Sequence, residues 1–286
     1  MIELYLLEQL AAVARCGTLS AASEQLHLSQ PALSQSMKKL EAQLGVALFE
    51  RTKNKLMLND TGKLAAGYAK ELLRQEQEMI ERIRLHDRAR HTICLGSCAP
   101  VPIGDIVPLL TRFYEGMAIS SELKNTDREL WEDLERGRYQ CIVVHEEPKK
   151  DADIFSCPYR QEHLCLQVPK EHPLAKRARL HLCDLADQNL LLYTYIGFWY
   201  ELCREKLSAA HFLYMNEQET FAQIAEVSAF PSFTTDAFAD QWQEDGKVIV
   251  PIVDREVNVT YYFACKKQDE KRFKPLIRGL KQNFSV

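Results

Sequence analysis

Gln30, Pro31, Ser34, Gln35 and Lys38 are the residues of this 286-residue chain whose types and spacing best suit a chemical task. The task is recognition. On a helix at 100° per residue, Leu33, Met37, Leu40 and Leu44 form one apolar stripe. Pro31, Ser34, Gln35, Lys38, Lys39 and Ala42 fall opposite. That second face is small and polar at its N-terminal end and basic in its middle. Gln30 and Gln35 can pair bidentately with adenine, Ser34 can bond a base or a phosphate, and Lys38 can reach a phosphate.

Residues for catalysis are not arranged in this way. The chain has no GxSxG elbow, P-loop, GxGxxG turn or HExxH helix. Its eight histidines are scattered without metal spacing, and only His145, at a strand end, stands out. The nine cysteines are odd in number and include no CxxC pair. They are expected to be mostly reduced core thiols. No enzymatic activity, metal or cofactor is therefore expected.

The elements needed to carry the recognition face are legible around it. Leu4, Leu7, Leu10, Ala11 and Ala14 recur at helical spacing, and Gly17 ends that helix. A short helix is expected near Ser20–Leu26, with a turn at His27-Leu28. Ser29 is an N-cap for the third helix, Pro31 is tolerated in its first turn, and Gly45 stops it. Glu50–Leu58 reads as a two-stranded wing. A proline-free stripe from Thr61 to about Arg90 reads as a long linker helix and dimer contact.

From Thr92 the period shortens to strands alternating with helices. Strands are expected at Thr92–Gly96, Ile119–Leu123 and Cys141–Val144, then Leu164–Val168, Leu190–Tyr193, Phe212–Met215 and Val257–Cys265. Helices are expected over Asp105–Tyr114 and Arg128–Glu135, with Lys271–Phe284 closing the chain. The alternation implies βαβ units and a parallel sheet. The expected organisation is a head over 1–60, a linker over 61–90, and an α/β domain over 91–286. That domain has one lobe at about 91–161 and 265–286, and another at about 162–264.

Composition is ordinary for a globular chain: 46% hydrophobic, 27% charged, net charge −4. The first sixty residues hold six basic and six acidic side chains, with the basic ones concentrated from Lys38 to Lys55. A local patch of that kind can grip phosphates without a basic average. There is no signal-like N-terminus and no membrane-length apolar run, so a cytoplasmic protein is expected.

The run Gly17-Thr18-Leu19-Ser20-Ala21-Ala22, then Leu28-Ser29-Gln30-Pro31-Ala32-Leu33-Ser34-Gln35, then Leu48-Phe49-Glu50-Arg51, resembles the head of LysR-type transcriptional regulators. The resemblance implies a winged helix-turn-helix, a linker helix, and two Rossmann-like lobes similar to type 2 periplasmic binding proteins. It also implies an effector between the lobes and pairing into dimers and tetramers. The two heads of a dimer would read half-sites roughly 34–36 Å apart. Gln30, Pro31, Ser34 and Gln35 match base-contacting positions, and Arg51 matches a wing residue that enters the minor groove or clamps phosphate. Thr18 and Ser29 would sit on the DNA backbone.

Strand ends in the lobes nominate an effector site: Ser97, Cys98, Thr126 and His145 in the first, Thr194, Tyr195, Ser232 and Thr234 in the second. Ser97 and Thr126 match positions that bond effector carboxylates in the family. An organic anion or an aromatic molecule is the expected ligand. Two departures, Glu226–Pro231 and Tyr139-Gln140-Cys141, put a standard small carboxylate in question. Relatives that sense peroxide use a cysteine pair in the second lobe, where this chain offers Cys183 and Cys203, with Cys165. Redox sensing is the alternative reading, and a solute-binding protein or enzyme the remote one.

Overall fold

The structure, a computed structural model, describes residues 1–52, 55–238 and 246–284, with the side chains of residues 51–56 outside that description. The chain divides into two compact units, Met1–Arg84 and Leu85–Val286.

The first unit opens with three helices, α1 (Leu4–Cys16), α2 (Leu19–Gln25) and α3 (Gln30–Leu44). Gly17 and Gly45 end α1 and α3 in the left-handed region, at φ 76° and 73°, where a side chain would be strained. The strands β1 (Phe49–Thr52) and β2 (Lys55–Leu58) pair antiparallel from Phe49–Leu58 to Thr52–Lys55, as the wing requires. Helix α4 (Asp60–Arg88) follows. The core of this unit is Leu6, Leu10, Val13, Leu19, Leu33, Met37, Leu40 and Leu48. Leu44, expected on that stripe, is 38% exposed because it is the last residue before the Gly45 cap.

Among the described residues, the second unit builds one nine-stranded mixed sheet. Its first part comprises β3 (Thr92–Ser97), α5 (Pro100–Phe113), β4 (Ala118–Leu123), α6 (Asp127–Arg136) and β5 (Cys141–Val144). The chain then runs through β6 (Ile154–Pro169), β7 (Asn189–Tyr193), α7 (Phe198–Lys206), β8 (His211–Met215), α8 (Gln218–Val227) and β9 (Ser232–Thr235). It closes with β10 (Lys247–Pro251), β11 (Asn258–Lys266) and α9 (Glu270–Asn283). The strand order is β4-β3-β5-β11-β6-β9-β7-β8, and β10 also pairs with β6.

The expected parallel sheet is corrected to a mixed one. β3 runs parallel to β4 and β5, and β7 runs parallel to β8 and β9. Between these two groups, β6 and β11 pair antiparallel. β6 is 16 residues long, three times the segment read from sequence. Its first half pairs with β11 and its second half with β9 and β10. Pro158 hid that first half. The ladder accommodates it with a register shift between Tyr261 and Tyr262, which pair with Arg160 and Pro158. Proline inside a sheet is confined to such irregularities or to edges. Helix α5 starts five residues earlier than expected. Pro100 and Pro102 sit where backbone N–H groups need no helical partner, so they begin the helix rather than delay it.

Candidate DNA interface and effector cavity

The reading face of α3 begins at its cap. The Ser29 hydroxyl accepts the Ala32 N–H at 3.3 Å, and the Thr18 hydroxyl accepts the Ala21 N–H at 3.2 Å at the start of α2. Each hydroxyl keeps its own proton to donate outward, and each helix N-terminus carries unpaired N–H groups that favour an anion. Gln30, Pro31, Gln35 and Lys38 are exposed and Ser34 is half-buried, while Leu33, Met37 and Leu40 are sealed beneath them. The α2–α3 turn passes through His27 at φ 53°, a left-handed residue that reverses the chain in little space.

Lys39 departs from its expected place in the basic face. Its Nζ donates to Glu3 Oε1 at 2.7 Å and to the Tyr5 hydroxyl at 3.1 Å, which ties α3 to the N-terminus. That bond holds the Glu3 carboxyl down at about 2. Arg51 lies on β1, paired with Leu56. Its side chain, with Lys53 and Asn54, lies outside the described residues.

Sequence reasoning missed the residues that seat the wing. Glu41 on α3 accepts the N–H of Leu48 at 2.7 Å and of Phe49 at 3.2 Å. Asn59 donates to the Ala47 carbonyl at 3.0 Å and accepts the Gly62 N–H at 2.7 Å. Gly62 itself is obligatory, because a Cβ there would lie 2.1 Å from the Leu48 carbonyl oxygen. An Asn followed three residues later by Gly was the available signal.

In the second unit an apolar cavity of about 140 Å³ opens beside β6, β9 and α7. Pro100 and Val101 at the start of α5 form one wall. Leu164, Ile196, Trp199, Phe221, Ala225, Phe233 and Phe238 supply most of the remainder, with Glu162, Gln167, Cys203, Ser232, Thr234 and Thr235. Among the described residues, no Lys, Arg or His lines it. Its one ionisable carboxyl among the described residues, Glu162, is 1% exposed and accepts a hydrogen bond from the Tyr261 hydroxyl. Burial pushes this carboxyl upward, against the pull of the Thr235 and Tyr261 hydroxyls. Ser232 donates to Gln167 Oε1 at 3.3 Å on the cavity wall.

Only Ser232 and Thr234 of the eight effector residues read from sequence line this cavity. Ser97 is fully buried, and its hydroxyl is used within its own turn, donating to the Ala99 carbonyl at 2.7 Å. Thr126 caps α6 by accepting the Glu129 N–H, and Thr194 donates to Asn216 Oδ1 at 2.9 Å. Tyr195 is 64% exposed. Cys98 and His145 instead meet Asp127, a grouping that the scattered sequence positions did not show. The two parts of this unit touch where the Phe198 N–H donates to the Cys98 carbonyl at 2.9 Å. Gly197, at φ 66°, permits that approach, since a Cβ there would lie 1.9 Å from the same oxygen.

All nine cysteines are free. Burial raises the Cys94, Cys98, Cys141, Cys157, Cys165, Cys203 and Cys265 thiols, with Cys165 pushed up to about 11 and Cys203 to about 12. Cys183 is exposed and Cys16 half-buried.

A capped recognition helix with a wing, followed by a two-lobed α/β unit enclosing an apolar cavity, defines a helix-turn-helix protein with a ligand-binding domain. Residues 4–63 match the family model of bacterial regulatory helix-turn-helix proteins of the lysR family, and residues 86–285 match the LysR substrate binding domain. The chain belongs to the LysR family. It is 29% identical over 190 residues to the hydrogen peroxide-inducible genes activator of Dickeya chrysanthemi, over 65% of this chain and 62% of that protein. The match thus spans under two thirds of that relative's length. It is 25% identical over 262 residues to the DNA-binding transcriptional dual regulator OxyR of Escherichia coli K12, over 87% of this chain and 85% of that one. A solved full-length OxyR variant from Pseudomonas aeruginosa shares the fold at a TM-score of 0.53 and 22% identity, covering 98% of this chain and all of that one. Among the described residues, no helix is long and apolar enough to cross a membrane.

Proposed function

We propose that this chain is a sequence-specific DNA-binding transcriptional regulator whose activity is set by a small molecule held between its two α/β lobes. The observation that carries the reading is α3. It presents Gln30, Pro31, Ser34, Gln35 and Lys38 outward from a Ser29 cap, above a sealed apolar stripe. Gln30, Pro31, Ser34 and Gln35 read base edges. Thr18, Ser29, Lys38 and the wing residue Arg51 hold phosphates. A gel-shift assay with the full chain on its own upstream region tests this: a specific shift is expected, and none at any salt concentration contradicts it.

The partners follow from the same elements. Helix α4 leaves Leu64, Tyr68, Leu72, Met79 and Ile83 exposed, an apolar stripe suited to a second copy of the chain and, through further contacts, to a tetramer. The division into a head over 1–60, a linker over 61–90 and a two-lobed domain over 91–286 is kept. The protein works in the cytoplasm, on double-stranded DNA, and not as an enzyme.

The effector is a small uncharged molecule, largely apolar and preferably aromatic. A cavity of about 140 Å³ is close to the ~150 Å³ that admits benzene in an engineered core. Among the described residues, a carboxylate there would meet Glu162 and no cation. Ser232, Thr234 and Gln167 supply its polar contacts, while Ser97, Thr126, Thr194 and Tyr195 shape the surrounding loops. The relatives named for hydrogen peroxide suggest thiol chemistry as the input. Of the three cysteines nominated for that role, Cys165 and Cys203 are buried and their thiols raised by desolvation, which disfavours the reactive thiolate, and only Cys183 is exposed; the apolar cavity favours ligand binding.

A further inference from the structure

Three neighbouring parallel strands each deliver one metal-binding side chain to the same edge of the sheet. Cys98 follows β3 directly, Asp127 opens the helix after β4, and His145 follows β5. One donor atom from each, a sulfur, an oxygen and a ring nitrogen, lies within 4.8 Å of the other two. Cys98 is fully buried and Asp127 is 6% exposed. Asp127 is already aimed. Its Oδ2 accepts the N–H groups of His145 and Glu146 at 3.0 and 2.9 Å, which leaves Oδ1 facing His145 Nδ1 at 3.0 Å. A carboxylate whose second oxygen is fixed by backbone donors is the outer support that ligating groups normally have.

We propose that Cys98, Asp127 and His145 form a three-ligand site for a borderline divalent transition ion, Zn²⁺ foremost. Sulfur, imidazole and carboxylate together suit zinc and its neighbours rather than Mg²⁺ or Ca²⁺. Three protein ligands leave a fourth position for water, reached past the partly exposed His145 ring. The ion displaces the thiol proton: Cys98–SH and M²⁺ give Cys98–S–M⁺ and H⁺. A bound cation beside the sulfur favours the thiolate over the thiol. The site also touches the lobe contact. The Phe198 ring stacks on His145 at 3.8 Å, and the Phe198 N–H holds the Cys98 carbonyl. Metal occupancy therefore bears on how the second lobe seats against the first.

The test uses the full chain, stripped with a chelator and titrated with Co²⁺ as a spectroscopic stand-in for Zn²⁺. A near-ultraviolet thiolate-to-cobalt band saturating at one ion per chain is expected, with release of about one proton per ion. Cys98→Ser removes the band, and His145→Gln weakens the affinity by roughly tenfold or more. Absence of a saturable band in the unaltered chain overturns the proposal. So does a band unchanged in Cys98→Ser, which would place the ion on another cysteine. Should Cys98→Ser fail to fold, a band indifferent to His145→Gln overturns it equally.

Discussion

At the residue scale, two positions separate reading from gripping. Removing the side chain of Gln30 or Ser34 takes away a base contact and is expected to cost ~1–3 kcal/mol of discrimination while sparing non-specific affinity. Binding titrations on matched and scrambled duplexes measure both terms. Lys38→Ala should weaken all duplexes alike. Glu162 offers a pH test. Its folded pKa is raised above the ordinary value of 4.5, so above that pH the folded chain keeps a proton that the unfolded chain has lost. Its stability is fully present below about pH 4.5 and declines as pH rises toward the folded value. Glu162→Gln retains an acceptor for Tyr261 and removes the decline. Its melting temperature should match the unaltered chain near pH 4.5 and exceed it by a growing margin as pH is raised to 8. A constant offset across pH would show that the carboxyl is not the source. The head residues were legible because Ser, Pro and Gly carry their backbone roles in their chemistry. Ser97, Thr126 and Thr194 were not: their hydroxyls are consumed by local turns and caps, which strand-end reasoning does not foresee.

At the scale of elements, helix boundaries in the head followed from caps and glycine stops, and the wing from its composition. Long-range seating was invisible. Glu41 reaching Leu48 and Phe49, and Gly62 passing the Leu48 carbonyl, depend on how α3, β1 and α4 converge. Gly62→Val should therefore destabilise the head by about 2 kcal/mol or more, as overpacking does, seen as a lower urea midpoint. A neutral result would mean that α4 can shift away from the wing. The exposed stripe on α4 predicts a different outcome. Tyr68→Glu with Leu72→Glu leaves the fold intact but shifts the chain toward monomer in sedimentation velocity. An unchanged assembly state would move the dimer contact off this helix. β6 shows where periodicity fails: Pro158 breaks the pattern, and only pairing with β11 across a register shift restores the strand.

At the scale of the molecule, a head, a long helix and two α/β lobes were readable from the change in hydrophobic period. The path of the sheet was not, because β6 and β11 take partners far away in sequence. The cavity escaped for the same reason, since its walls come from β6, α7, α8, β9 and the start of α5. Phenol or indole is expected to raise the melting temperature in proportion to the logarithm of its concentration, and benzoate to do so far less, because only the folded cavity binds and its described lining holds no cation. A larger shift with benzoate would contradict the uncharged-ligand reading. Everything downstream depends on α3 reading sequence. The most direct measurement is fluorescence anisotropy of the full chain on its own upstream duplex and on a scrambled duplex, across a range of salt. A preference of roughly tenfold or more is expected to persist as salt rises and to shrink in Ser34→Ala while affinity for the scrambled duplex holds. Equal binding to both duplexes at every salt concentration, or equal weakening of both by Ser34→Ala, would contradict it.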